Sequence, residues 1–83
     1  MDARRKRLLF RAQHCGMKEN DIMLGGFAAA RVGELDDAQV GRFEALLDQS
    51  DNDIYNWVSG RAVPPAEFEN DLLDMLKNYN KTK

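Results

Sequence analysis

The chain has 83 residues, with 12 Lys+Arg against 14 Asp+Glu and a formal net charge of -2. That length allows one small domain with a thin core, because a chain near this size buries only about 60% of its unfolded surface, and it leaves little room for a deep substrate pocket. With 31% charged residues and no apolar run near the ~20 residues that span a bilayer, the composition argues against direct membrane insertion. The single cysteine, Cys15, excludes an internal disulfide framework and a multi-cysteine zinc site and fits a reducing compartment.

The net charge conceals an asymmetry. Residues 1–18 carry Arg4, Arg5, Lys6, Arg7, Arg11 and Lys18 against Asp2, whereas residues 19–83 carry six basic and thirteen acidic groups. Such a dipolar surface suits oriented docking onto a partner protein. A polynucleotide would be repelled by most of the domain, so no nucleic-acid partner is expected. The run Arg4-Arg5-Lys6-Arg7 reads either as a solvated helix face or as a contact for an acidic partner surface.

The hydrophobic spacing predicts five helices and no strand, an all-α array in one domain over residues 1–83, with residues 1–3 and 80–83 frayed. The first helix is expected over about Ala3–His14, with Leu8, Leu9 and Ala12 on one face and Gly16 just past its end in the left-handed conformation. The second runs from Met17 or Lys18 to about Val32, carrying Glu19 and Asp21 in its first turn, where carboxylates favour the positive helix end. Its expected buried stripe is Ile22, Met23, Gly26, Phe27 and Ala30. The pair Gly25-Gly26 is poor for helix propensity and reads as a close helix-helix approach; without a preceding strand or GxGxxG spacing it is no phosphate loop.

Asp36 with Gln39 three residues on resembles a capping box for a third helix to about Leu47, which is expected to bury Val40, Phe43 and Leu47. Asp48–Asp53 is a polar connection lacking the glycine and terminal glutamate of a calcium loop, and a capped start at Ser50 or Asp51 is expected instead. The fourth helix is short, with Ile54, Trp57 and Val58 inward and Gly60 closing it. Pro64-Pro65 is extended, and Pro65 is expected in the first turn of the fifth helix, which places Phe68, Leu72, Met75, Leu76 and Tyr79 on one face.

The catalytic inventory is thin. His14 and Cys15 are the only residues of their types, and as neighbours on a helix they point about 100° apart, so they form no natural nucleophile-base pair. No carboxylate spacing nominates a metal site.

Two stretches resemble a known family. Arg11-Ala12-Gln13-His14-Cys15-Gly16-Met17-Lys18-Glu19-Asn20-Asp21 is similar to the R-G-x-x-E signature of the succinate dehydrogenase FAD assembly factors. Phe43-Glu44-Ala45-Leu46-Leu47, continuing through Asp51, Asp53 and Trp57, resembles their F-x-x-L-L-x-x-x-D-x-D segment with its later tryptophan. The resemblance covers about residues 4–79. It implies a non-enzymatic five-helix chaperone that binds the flavoprotein subunit of succinate dehydrogenase or fumarate reductase and promotes covalent attachment of FAD to a client histidine. No cofactor would be held stably by the chaperone itself.

Carried over residue by residue, Gly16 and Glu19 become client-binding residues, flanked by Arg11, His14, Met17 and Lys18. The arginine expected before the glycine is Cys15, which leaves that arginine's contact in doubt, with Arg11, His14 and Lys18 as nearby cations. The resemblance is compatible with a monomer or a weak homodimer. The absence of a cleavage region after the basic start points to a bacterial cytoplasm rather than the mitochondrial matrix. A regulatory, antitoxin-like interaction module without a flavoprotein client is the rival function.

Overall fold

Local signals set most helix starts. In the computed structural model, which describes residues 2–81, α1 spans Ala3–Gln13, α2 Lys18–Arg31, α3 Asp37–Leu47, α4 Asp51–Ser59 and α5 Asp71–Lys81. Short 3-10 turns at Val32–Glu34 and Ala66–Phe68 complete the order, and there is no strand among the described residues. Asp2 caps α1 by accepting from the Arg5 N–H at 2.8 Å. Asp36 and Gln39 form the reciprocal capping box on α3, and Ser50 accepts from the Asp53 N–H to start α4. Each such cap supplies an acceptor to a first-turn N–H that the helix cannot satisfy internally.

The core lies where all five helices meet. Phe27 sits at its centre, tilted against Phe43 with ring centroids 5.8 Å apart and edge-on to Tyr79 at 5.7 Å, geometries that suit the aromatic quadrupole. Ile54, Trp57 and Val58 are buried as expected, and Trp57 stacks on Phe68 at 5.2 Å. Among the described residues no helix is long and apolar enough to cross a membrane.

Three expectations are corrected. The buried face of α2 is Asn20, Leu24, Gly25, Phe27 and Ala28, while Ile22 is 55% exposed and Ala30 is exposed. The helix is rolled so that Gly25 faces α1, where a β-carbon would stand 3.1 Å from Gln13 Cγ. In α3, Leu46 is buried, and Leu47 packs against the core only in part. The fifth helix starts at Asp71 rather than at Pro65, because Pro65 leads into a 3-10 turn that buries Phe68. Asn70 then accepts from the Leu73 N–H at 3.0 Å and caps the new helix.

The ends expected to fray are in part helical. Ala3 opens α1, and Asn80 within α5 donates from Nδ2 to Leu76 O at 2.9 Å and to Met23 O at 3.3 Å. Residues 1, 82 and 83 lie outside the described residues.

The basic start of the chain is laid against the acids of α3. Arg4 pairs with Glu44 at 2.8 Å and Arg11 with Asp48 at 2.7 Å. Arg5 bridges Asp2 at 2.6 Å and Asp37 at 3.1 Å and also donates to Leu35 O. Lys6 and Arg7 are exposed and have no ion pair among the described residues. Much of the charge asymmetry in the sequence is thus spent inside the molecule, in a row of α1–α3 pairs.

The candidate client-docking turn

The seven residues singled out from the sequence fall on the end of α1, the following turn and the start of α2. Helix α1 ends at Gln13, and His14 caps it with φ -134°. The left-handed residue is Gly16 at φ +98°, two positions beyond the cap, so the chain reverses over Cys15-Gly16-Met17 before α2 begins. A β-carbon at Gly16 would meet Asp51 Oδ2 at 3.3 Å. Glycine is required here for its backbone angle, and its lack of a side chain leaves room for the Asp51 carboxylate of α4.

Around this turn each side chain has a definite task. The His14 ring stacks on Phe10 with centroids 4.1 Å apart and planes 21° apart. Its Nδ1–H donates to Phe10 O at 2.8 Å, which leaves Nε2 as the outward atom. Phe10 is itself 62% exposed. Arg11 pairs with Asp48 at 2.7 Å, and its charge also acts on Cys15. Lys18 and Glu19 are exposed in the first turn of α2 and have no ion pair among the described residues. Met17 is half-buried at the N-cap position and provides no side-chain cap.

Cys15 is held from both sides. Its backbone N–H donates to Asp21 Oδ1, and its thiol points back to the carbonyls of Ala12 at 3.3 Å and Arg11 at 3.5 Å. Burial, reinforced by the nearby Asp21 and Asp51 carboxylates, pushes the thiol up to about 11. Where the family pattern has a cation, this chain therefore presents a neutral, weakly nucleophilic group between two acids.

Phe10, Arg11, His14, Cys15, Leu47, Asp51 and Ile54 line a shallow cleft of about 230 Å³. That is below the usual range of about 300–1,000 Å³ for small-molecule pockets, and it lies beside Gly16 on the same surface. The sequence reading missed Phe10, Leu47, Asp51 and Ile54 as parts of this surface. Phe10 had a signal, its i, i+4 relation to His14; Asp51 had none, because its approach to Gly16 depends on how α4 packs.

The chain belongs to the family described as flavinator of succinate dehydrogenase, whose model matches residues 6–80. It is similar to the mitochondrial succinate dehydrogenase assembly factor 2 of Dictyostelium discoideum, at 39% identity over 77 residues, which cover 93% of this chain and 55% of that protein. The factor of the same name from Danio rerio is 32% identical over 85 residues, covering 100% of this chain and 54% of that protein. The one from Culex quinquefasciatus is 34% identical over 79 residues, covering 93% and 50%. The chain spans about half the length of the curated relatives it matches.

Proposed function

We propose that this chain is an assembly factor without catalytic groups of its own. It binds the flavoprotein subunit of succinate dehydrogenase or fumarate reductase and promotes covalent attachment of FAD to a histidine of that subunit. The observation that carries the reading is the family match over residues 6–80. It is supported by the exposure of Gly16 and Glu19 on one turn.

Gly16 lets the client backbone come close, and Glu19 accepts hydrogen bonds from it, with Met17 and Lys18 between them. His14, Arg11 and Cys15 form the α1 side of the same surface. FAD stays with the client, whose own histidine forms the bond to the flavin. The factor contributes by binding one client geometry better than others, which is what shifts a conformational equilibrium and brings the reacting groups together.

The test is co-expression with the cognate flavoprotein subunit, reading covalent flavin by in-gel fluorescence. The expected result is a flavin signal that depends on the factor and falls in Gly16→Arg and Glu19→Ala. A flavin signal unchanged by omitting the factor overturns the function. Full signal and full binding in both variants overturn the site.

A further inference from the structure

Among the described residues, Asn20 is the buried polar side chain of the core, with no exposed surface. Its Nδ2 donates to Asp51 O at 2.9 Å, joining the first turn of α2 to the first residue of α4. Its Oδ1 is buried with no partner among the described residues. An unpaired buried oxygen costs about 1–3 kcal/mol, whereas the one bond made through Nδ2 returns about 1 kcal/mol. Stability alone therefore does not account for an asparagine at this position.

The neighbouring turn does account for it. Met17 gives α2 no side-chain cap, so the first turn of α2 lacks the usual tie that stops a helix end from fraying. Two side chains from within that turn supply ties instead: Asp21 accepts from the Cys15 N–H, and Asn20 reaches across to α4. Successive residues on a helix are about 100° apart, so fixing Asn20 inward fixes the direction of Glu19 outward. The same bond keeps Asp51 in place beneath Gly16.

We infer that Asn20 is a positioning residue, which by its bond to α4 holds the first turn of α2 in the roll that Gly25 gives the helix, and with it the outward direction of Glu19 and the height of Gly16 over Asp51. This rests on the docking role of the Gly16–Glu19 turn. Asn20 does not touch the client; it acts through the turn.

The test is Asn20→Leu, followed by three measurements: thermal unfolding, amide exchange at Lys18, Glu19 and Asn20, and affinity for the cognate flavoprotein subunit. The expected result is an unchanged or raised Tm together with faster exchange at the three amides and a client Kd weakened by about tenfold, as expected when the binding-competent turn is populated about a tenth of the time. A structural role alone would instead lower Tm and leave affinity intact in the folded fraction.

Wild-type exchange and affinity in Asn20→Leu overturn the inference. Asn20→Ala serves if leucine does not fold, and the inference falls if the alanine variant is folded with unaltered exchange, or if neither variant folds. Should the wild-type protein itself not bind the flavoprotein subunit, the docking reading fails, while the exchange measurement still decides whether Asn20 holds the turn.

Discussion

Gly25 in α2 lies against the last turn of α1, where a β-carbon would stand 3.2 Å from Gln13 Cα and 3.3 Å from Ala12 O. Those are backbone atoms that cannot swing aside. Alanine has the better helix propensity by about 1 kcal/mol, but overpacking costs about 1–3 kcal/mol, so the clash wins. Gly25→Ala is expected to lower stability by about 1 kcal/mol. At Gly41 the nearest atom to a β-carbon is Arg4 Nη2 at 3.4 Å, the end of a flexible side chain, and Gly41→Ala is expected to raise stability by about 0.5–1 kcal/mol. Urea unfolding of the two variants gives opposite signs for one chemical change.

Glu19→Ala separates docking from folding. The side chain is exposed and its structural role is confined to favourable placement at a helix start, worth about 0.3–1 kcal/mol. The variant is expected to unfold within about 1 kcal/mol of wild type and to lose client binding. A loss of affinity that merely tracks a loss of fold would remove Glu19 from the docking surface.

At Gly16 the effect is mixed. Its φ of +98° strains any L side chain, at about 1–3 kcal/mol, so Gly16→Ala is expected to lose stability and docking together. Comparing its Tm with that of Glu19→Ala shows which part of the defect is conformational.

Cys15 makes a prediction about alkaline pH. Its thiol is raised from an ordinary value of 9.0 to about 11, so the neutral form is favoured in the folded state. The contribution to stability is fully present below about pH 9 and is lost as pH rises through about 11. Alkylation near neutral pH is expected to be about two orders of magnitude slower than for a free cysteine thiol. A thiol-reagent rate profile that already plateaus below pH 9 would contradict this.

Acid acts through other groups. The Glu44 carboxyl is held below its ordinary value by Arg4, and Asp71 by Gln39, then by the Leu72 backbone N–H and by Arg42. Asp2 is lowered by the backbone N–H of Arg5 and then by the Arg5 side chain. These contributions are present above the unfolded carboxyl values and lost as pH falls through the folded ones. Tm is therefore expected to decline from pH 5 to pH 3, less steeply in Arg4→Ala, and to be more salt-sensitive in wild type because the pairs are exposed.

The sequence was most legible where local chemistry decides. The Asp36–Gln39 box, the Ser50 cap, the left-handed Gly60 and the inward trio of α4 all follow from short-range patterns. It was least legible where packing decides. Ile22 outranks Asn20 in hydrophobicity, yet the approach of Gly25 to α1 rolls α2 until Asn20 is inside and Ile22 outside. Pro65 carries a helix-start signal, but the burial of Phe68 uses a 3-10 turn and defers the helix to Asp71, with Asn70 as its cap.

The candidate docking residues were legible because a contiguous motif stays together across one chain reversal. Asp51 and Ile54 were not, because they arrive from another helix. The paired arginines of α1 were also hidden, since their partners on α3 lie 32 to 40 residues away.

From Arg11 to Glu19 a single residue, Ala12, is fully buried. Apart from Cys15, which packs against the core, and Gly16, whose backbone angle calls for glycine, the turn is written in positions that the core does not read, while the core begins again at Asn20. Sequence drift at the exposed His14, Lys18 and Glu19 can alter what the turn recognises without having to be compensated among the packed side chains. The fold has room there for a docking surface to change while the packing beneath it stays the same.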